Sequence, residues 1–206
     1  MRVLVICDDY YHPASVVHAG LDLLQGYELD YVEDAGDWSP EKMAEYPVVL
    51  FAKSNNITAA SREPWVTPEV EEAFVNYVRS GRGLLAVHSG TVYKDLPAMR
   101  ALLGGVFDFH PKQCPVTVQP VAGHPLTEGV APFTVTDEHY HMIMDDPAVD
   151  VFAHTVSEHS EQPGGWTRTE GAGRVCVLTP GHTVEAFTHP SFLRLVTNSL
   201  VWCAGN

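Results

Sequence analysis

Three short runs in this chain are apolar almost throughout: "RVLVIC" (2–7), "PVVLFAK" (47–53) and "GLLAVH" (83–88). A strand with one wet face alternates apolar and polar residues, so runs like these belong to strands covered on both faces. Helical patterns separate them. "ASVVHAGLDLL" (14–24) spaces Val17, Leu21 and Leu24 three and four residues apart, and Pro68 opens "PEVEEAFVNYVRSG" with acids in its first turn and Gly81 just past its end. "ELDYVE" (28–33) alternates and adds a further strand. The second half is richer in strand signals, with "CPVTVQPV" (114–121), "PFTVTDEHYH" (132–141), "VDVFAHTV" (149–156), "GGWTRTE" (164–170) and "GRVCVLTP" (173–180) before a closing helix, "SFLRLVTNSLVWCAG". The expected fold is α/β: a flavodoxin-like, doubly wound, mainly parallel sheet with helices on both faces and extra strands in the second half. No linker or repeat interrupts the chain, so residues 1–206 read as one domain.

Charge narrows the partners. Twelve Lys and Arg against 26 Asp and Glu give a formal net charge of −14, which repels nucleic-acid backbones and anionic membrane surfaces alike. The expected partner is a small molecule, with no nucleic acid and no membrane. "MRVLVICDDYYHP" has too few apolar residues after its Arg for a signal segment, and no run reaches membrane-spanning length; a cytoplasmic chain is expected. The cysteines at 7, 114, 176 and 203 are far apart, so neither a disulfide framework nor a CxxC zinc site is supported.

In open α/β sheets, ligands bind beyond the carboxyl ends of the strands. Polar residues recur there: Asp8 and Asp9 after the first strand, Lys53 to Asn56 after the third, His88 and Ser89 after the fourth. His88 directly ends an apolar run, where an imidazole without a partner would cost a few kcal/mol of desolvation. Its surroundings resemble a nucleophile elbow, with Ala86 and Gly90 in the flanking seats. A second constellation is "TDEHYH" (136–141), in which a strand would put Glu138 and Tyr140 on the face opposite Asp137, His139 and His141. Both faces could line one pocket only if the strand ended or bulged there. In "TPGHTVEAF", His182 repeats the placement of His88, with Glu185 three residues on as a candidate to orient its ring; His110 in "VFDFHP" is a further candidate.

Taken in order, "GRGLLAVHSGT", "LLGGVFDFHP", "GHPLTEGV", "TDEHYH", "GWTRTEGAGRV", "LTPGHTVEAF" and "FLRLVTNSLVWCAG" resemble the ThuA-like (trehalose utilisation) family, which has a class I glutamine amidotransferase-like fold. The resemblance covers Gly81 to Gly205. It implies that His88 occupies the amidotransferase nucleophile seat, that His182 occupies the seat of that fold's catalytic histidine, and that Asp137 and Glu138 match the family's acidic pair. No cysteine lies near the nucleophile seat, which disfavours amide hydrolysis through a thiolate. The family more often has an aromatic or aliphatic residue where His139 stands, so no role is inferred for His139.

The catalytic candidates are therefore His88, His182, Glu138 and Asp137. His88, Glu138 and His182 together form a ligand complement suited to a divalent metal, zinc first, with a position left open for water. Without metal, the two imidazoles could serve as general base and acid. Asp9, Tyr10, Asn55, Ser89, His110, Tyr140, Trp166 and Arg168 are the candidates for substrate contact, an aromatic and polar supply that suits a carbohydrate. No nucleotide cofactor is expected. The function expected is hydrolysis or lysis of trehalose or a related disaccharide or keto-sugar; the alternative is a non-catalytic sugar-binding or assembly protein on the same scaffold. A serine hydrolase using Ser89 is a third option, and edge strands in the second half could pair across a homo-oligomer.

Overall fold

A computed structural model describes residues 1–205. The first half alternates strand and helix: β1 (Arg2–Ile6), α1 (Ala14–Leu21), β2 (Glu28–Val32), α2 (Pro40–Ala44), β3 (Val48–Phe51), α3 (Pro68–Arg79), β4 (Gly83–Val87) and α4 (Pro97–Leu103). Then come β5 (Gly105–Phe109), β6 (Cys114–Pro120), β7 (Phe133–Asp137), β8 (His141–Met144), β9 (Asp150–Val156), β10 (Glu161–Glu170), β11 (Gly173–Leu178), α5 (Val184–Thr188) and α6 (Pro190–Cys203).

Nine strands form one sheet in the order β2-β1-β3-β4-β11-β10-β9-β6-β7, and β5 pairs with β8 in a separate ribbon. The five strands from β2 to β11 are mutually parallel, whereas β11-β10-β9-β6-β7 are antiparallel. The sheet is thus mixed: parallel across the first-half strands and β11, antiparallel across the extra strands of the second half. The reason lies in the connections: β10 and β11 are joined by a tight turn, which reverses the chain, while parallel neighbours need a crossover.

Alternate residues of the apolar strands serve two cores. Val3, Val5, Leu50, Leu85, Val87 and Leu178 pack under α1, α5 and α6, and Leu4, Ile6, Val49, Phe51, Leu84 and Val177 pack under α2, α3 and α4. Both faces are covered, as the unbroken apolar runs require. The start of α3 is capped by Thr67, whose hydroxyl accepts from the Val70 amide, and Pro68 takes the first helical position. Glu71 in that first turn is buried, because its carboxylate reaches across to accept from the Ala98 and Met99 amides at 2.8 and 2.9 Å, capping α4. All four cysteines are buried and unbridged. Among the described residues, no helix is long and apolar enough to cross a membrane.

Candidate functional site

His88 stands immediately beyond β4 in the left-handed backbone region, φ +46°, at the start of a single 3₁₀ turn over His88–Thr91. That turn packs against β3 so closely that a Cβ on Gly90 would lie 2.1 Å from the Phe51 carbonyl oxygen, so only glycine fits. The His88 ring is 2% exposed. Its Nδ1 donates to the Thr179 carbonyl at 2.8 Å; because a carbonyl only accepts, the neutral ring carries its proton there and presents a bare Nε2. That Nε2 is buried and has no hydrogen-bond partner. Burial pushes the His88 pKa down, which favours the neutral ring.

His182 stands at the same end of β11, the parallel neighbour of β4. Its Nδ1, also buried without an aligned hydrogen bond, lies 3.2 Å from Glu138 Oε2, and the adjoining carboxylate raises its pKa. Glu138 Oε2 also lies 3.5 Å from His88 Nε2 and 3.6 Å from His110 Nε2. Burial alone would push the Glu138 carboxyl up, but the His182 and His88 rings outweigh it and hold the carboxyl well below the usual range.

β7 ends at Asp137, and this break in the strand lets Asp137 and Glu138 both face inward. Asp137 is fully buried: Oδ2 accepts from the Gly181 amide at 2.8 Å, and Oδ1 accepts from the His182 and Glu138 amides at 2.9 Å each. β7 and β11 have three strands between them, so in a flat sheet they would stand roughly 19 Å apart. The sheet instead brings their ends within hydrogen-bond reach, and Asp137 is the strap that ties Glu138 to His182.

A third histidine, His12, completes the group. Asp9, buried at the end of β1, holds His12 Nδ1 at 2.8 Å through Oδ1 and at 3.0 Å through Oδ2, and also accepts from the Tyr11, His12 and Ser54 amides. Burial would raise the Asp9 carboxyl, yet His12 and these amides bring it down to about 2. The turn itself is anchored by the buried Lys53 ammonium, which donates to the Cys7, Asp8 and Glu33 carbonyls. With Nδ1 committed to Asp9, the other nitrogen of His12 is free. One donor atom from each of His12, His88, Glu138 and His182 lies within 4.8 Å of the others, a group that could hold a metal ion. Asp9 on His12 and the Thr179 carbonyl on His88 are the outer partners that fix which imidazole nitrogen faces a metal. Beside this group opens a cleft of about 280 Å³ lined by Tyr11, His12, Ser54, Val92, Phe107, His110, Glu138 and Tyr140.

The family model ThuA, described as trehalose utilisation, matches residues 2–203. The chain belongs to the ThuA family. A ThuA-like protein from Parabacteroides merdae superposes with a TM-score of 0.80 at 15% identity, over 99% of this chain and 90% of that one. A second, from Bacteroides uniformis, gives 0.76 at 21% identity over 98% and 91%. A protein from Salmonella typhimurium described as cytoplasmic gives 0.69 at 15% identity over 98% and 99%. Among curated proteins, none matches the chain.

Within this ThuA-family fold, several residues expected at the site stand elsewhere or do other work. Asp137 and Asp9 spend their oxygens on backbone amides and on His12, so both position neighbours instead of facing the cleft. Asn55 Oδ1 accepts from the Trp65 and Val66 amides and shapes its own loop. Ser89 is buried behind His88 and does not line the cleft. Trp166 is core: it is fully buried, and its indole donates to the Leu103 carbonyl at 2.9 Å. Arg168 is committed to Asp146, Glu170 and the Ala101 and Leu102 carbonyls. Tyr10 lies exposed outside the cleft under Arg62, while His110 and Tyr140 line it, Tyr140 stacking on His88 with ring centroids 3.9 Å apart. Glu185 does not orient His182; it accepts from the Thr136 amide, and Glu138 takes the place beside the ring. His139 turns away to Ser157 and Thr155. His12 escaped the sequence reading, although "DDYYHP" carried the signal: an Asp three residues before a His, directly after a buried strand.

Proposed function

We propose that this ThuA-family chain is a hydrolase or lyase of sugar utilisation whose chemistry is assisted by a divalent metal, zinc first, held by His12, His88, Glu138 and His182. One observation carries the reading: the buried Nε2 of His88 and Nδ1 of His182, neither in an aligned hydrogen bond, converge on Glu138 and the free nitrogen of His12. Leaving a buried nitrogen such as His88 Nε2 unpaired costs on the order of 1–3 kcal/mol, and a cation shared by the four residues would relieve that cost. A bound ion would polarise a substrate oxygen and activate water near neutral pH. Glu138 balances its charge, Asp9 keeps His12 in the ligating tautomer, and Asp137 holds Glu138 and His182 in register. His110 Nε2, in the cleft and 3.6 Å from Glu138 Oε2, is placed to pass a proton between the reacting oxygen and solvent. The sugar assignment draws on the family's description as trehalose utilisation. Cytoplasmic placement belongs to the same reading and draws on the Salmonella neighbour's description.

The experiment is metal content by elemental mass spectrometry on tag-free protein, wild type beside His88→Ala, followed by a sugar-turnover screen. Near-stoichiometric divalent metal that is lost in the variant, with metal-dependent turnover, is expected. Protein that stays metal-free after incubation with zinc, manganese or iron overturns the metal; metal without turnover of any sugar leaves a binding protein.

A further inference from the structure

Four tyrosines are buried in this protein: Tyr46, Tyr77, Tyr93 and Tyr140. A phenol taken out of water ordinarily finds a hydrogen-bond partner, because leaving it unpaired forfeits the bonds it made to water. Three of the four follow the rule. The Tyr46 hydroxyl donates to Asp30 Oδ2 at 2.9 Å, that of Tyr77 to the Tyr46 carbonyl at 3.1 Å, and that of Tyr93 to the Lys53 carbonyl at 2.6 Å. The Tyr140 hydroxyl has no partner among the described residues.

The Tyr140 ring is held on several sides. It stacks on His88 with ring centroids 3.9 Å apart, meets Phe107 at 4.2 Å and lies 5.9 Å from His110. Only 3% of the residue is exposed. Its hydroxyl is nevertheless not sealed in as His88 Nε2 is, and the side chain lines the cleft beside the four-residue group. The little surface that Tyr140 keeps therefore includes its hydroxyl, open to the cleft. Stacking needs only the ring, which phenylalanine would supply, so packing gives no reason for the oxygen.

We propose that the Tyr140 hydroxyl is a substrate-contacting donor, reserved for an acceptor oxygen of the molecule bound in the cleft. This rests on the cleft being the binding site, as read above, but on neither the sugar nor the metal. The stack on His88 fixes the ring before anything binds, so little conformational freedom is lost when the bond forms. The donor also selects, because a ligand that presents carbon at that point leaves a buried hydroxyl unpaired. An oxygen that gains negative charge during reaction is held more strongly still, which extends the effect from affinity to rate.

NMR of the full chain, with tyrosine isotope-labelled at Cζ and the Tyr140 signal identified by its loss in Tyr140→Phe, tests it. Trehalose, dihydroxyacetone and acetate are titrated separately, presenting ether and hydroxyl, ketone and carboxylate oxygens. The Tyr140 signal is expected to shift with at least one probe while those of Tyr77 and Tyr93 stay in place. The Kd of that probe should rise about 5- to 150-fold in Tyr140→Phe. A signal unmoved by all three, or an unchanged Kd in the variant, overturns the proposal. Denaturant unfolding adds a readout free of ligand: Tyr140→Phe should unfold at the wild-type midpoint or above it, whereas Tyr77→Phe and Tyr93→Phe should unfold earlier. Equal losses in all three variants overturn it, since the hydroxyl would then be satisfied within the protein. A shift with dihydroxyacetone or acetate but not with trehalose upholds the donor and counts against the sugar, and metal content of the same samples reports on the metal alone.

Discussion

The turns after β4 and β11 hold equivalent places on adjacent parallel strands, and each delivers a histidine to the same group, yet their electrostatics are opposite. His88 lies deeper, with its Nδ1 committed to a carbonyl, and burial lowers its pKa. His182 keeps part of its ring open to solvent, stands 3.2 Å from Glu138, and has its pKa raised. Topology decides where an imidazole stands, whereas its neighbours decide its charge. A metal entering the group therefore competes less with a proton at His88 than at His182.

The comparison breaks most visibly under truncation. His88→Ala should cost the metal-free protein about 2–4 kcal/mol, because it opens a cavity beneath Tyr140 and orphans the Thr179 carbonyl. His182→Ala, at a partly exposed position, should cost less, about 1–2 kcal/mol. Denaturant unfolding of the two variants checks this; equal losses would mean that the burial difference carries no energy.

Asp137→Asn should act chiefly on the turn after β11, where its oxygens accept from the Gly181 and His182 amides. It replaces one of the two carboxylate oxygens that accept from the Glu138, His182 and Gly181 amides with a donor, so metal affinity measured by chelator competition should drop about 10- to 100-fold, with about 1–3 kcal/mol of stability lost. A role in general packing alone would lower stability and leave affinity unchanged.

The smallest effect is the most direct reading of the contrast. In metal-free protein, an NMR titration should place His182 above the ordinary value of 6.5 and His88 below it. A raised His182 contributes stability that is complete below about 6.5 and is lost as pH rises through its folded value. A lowered His88 has the opposite sign, its contribution being present above about 6.5 and lost as pH falls. Both rings titrating on the same side of 6.5 would remove the distinction.

The parallel half of the fold was legible because burial on both faces leaves a local mark: an unbroken apolar run. His88 and His182 were legible for the same reason, as polar residues closing such runs. The β5-β8 ribbon was harder to read, because "TDEHYH" continues the strand pattern of β7 while the chain leaves the main sheet after Asp137. Arg168 and Trp166 have side chains that suit a sugar site, yet both turn to carbonyls at the end of α4, a contact that composition does not record. Glu71 is similar: its place suits the dipole of its own helix, but its carboxylate caps α4.

By itself, then, the sequence determined the nine strands of the main sheet, which of them are buried, and which two histidines close them, since hydrophobic periodicity and chain direction act over a few residues. Only the tertiary structure decided that His12 joins His88 and His182, that Glu138 rather than Glu185 stands beside His182, and that Asp9 and Asp137 hold the group without facing the cleft. Those assignments depend on hydrogen bonds between residues 44 or more positions apart, and the distances that decide them exist only once the sheet has brought the strand ends together.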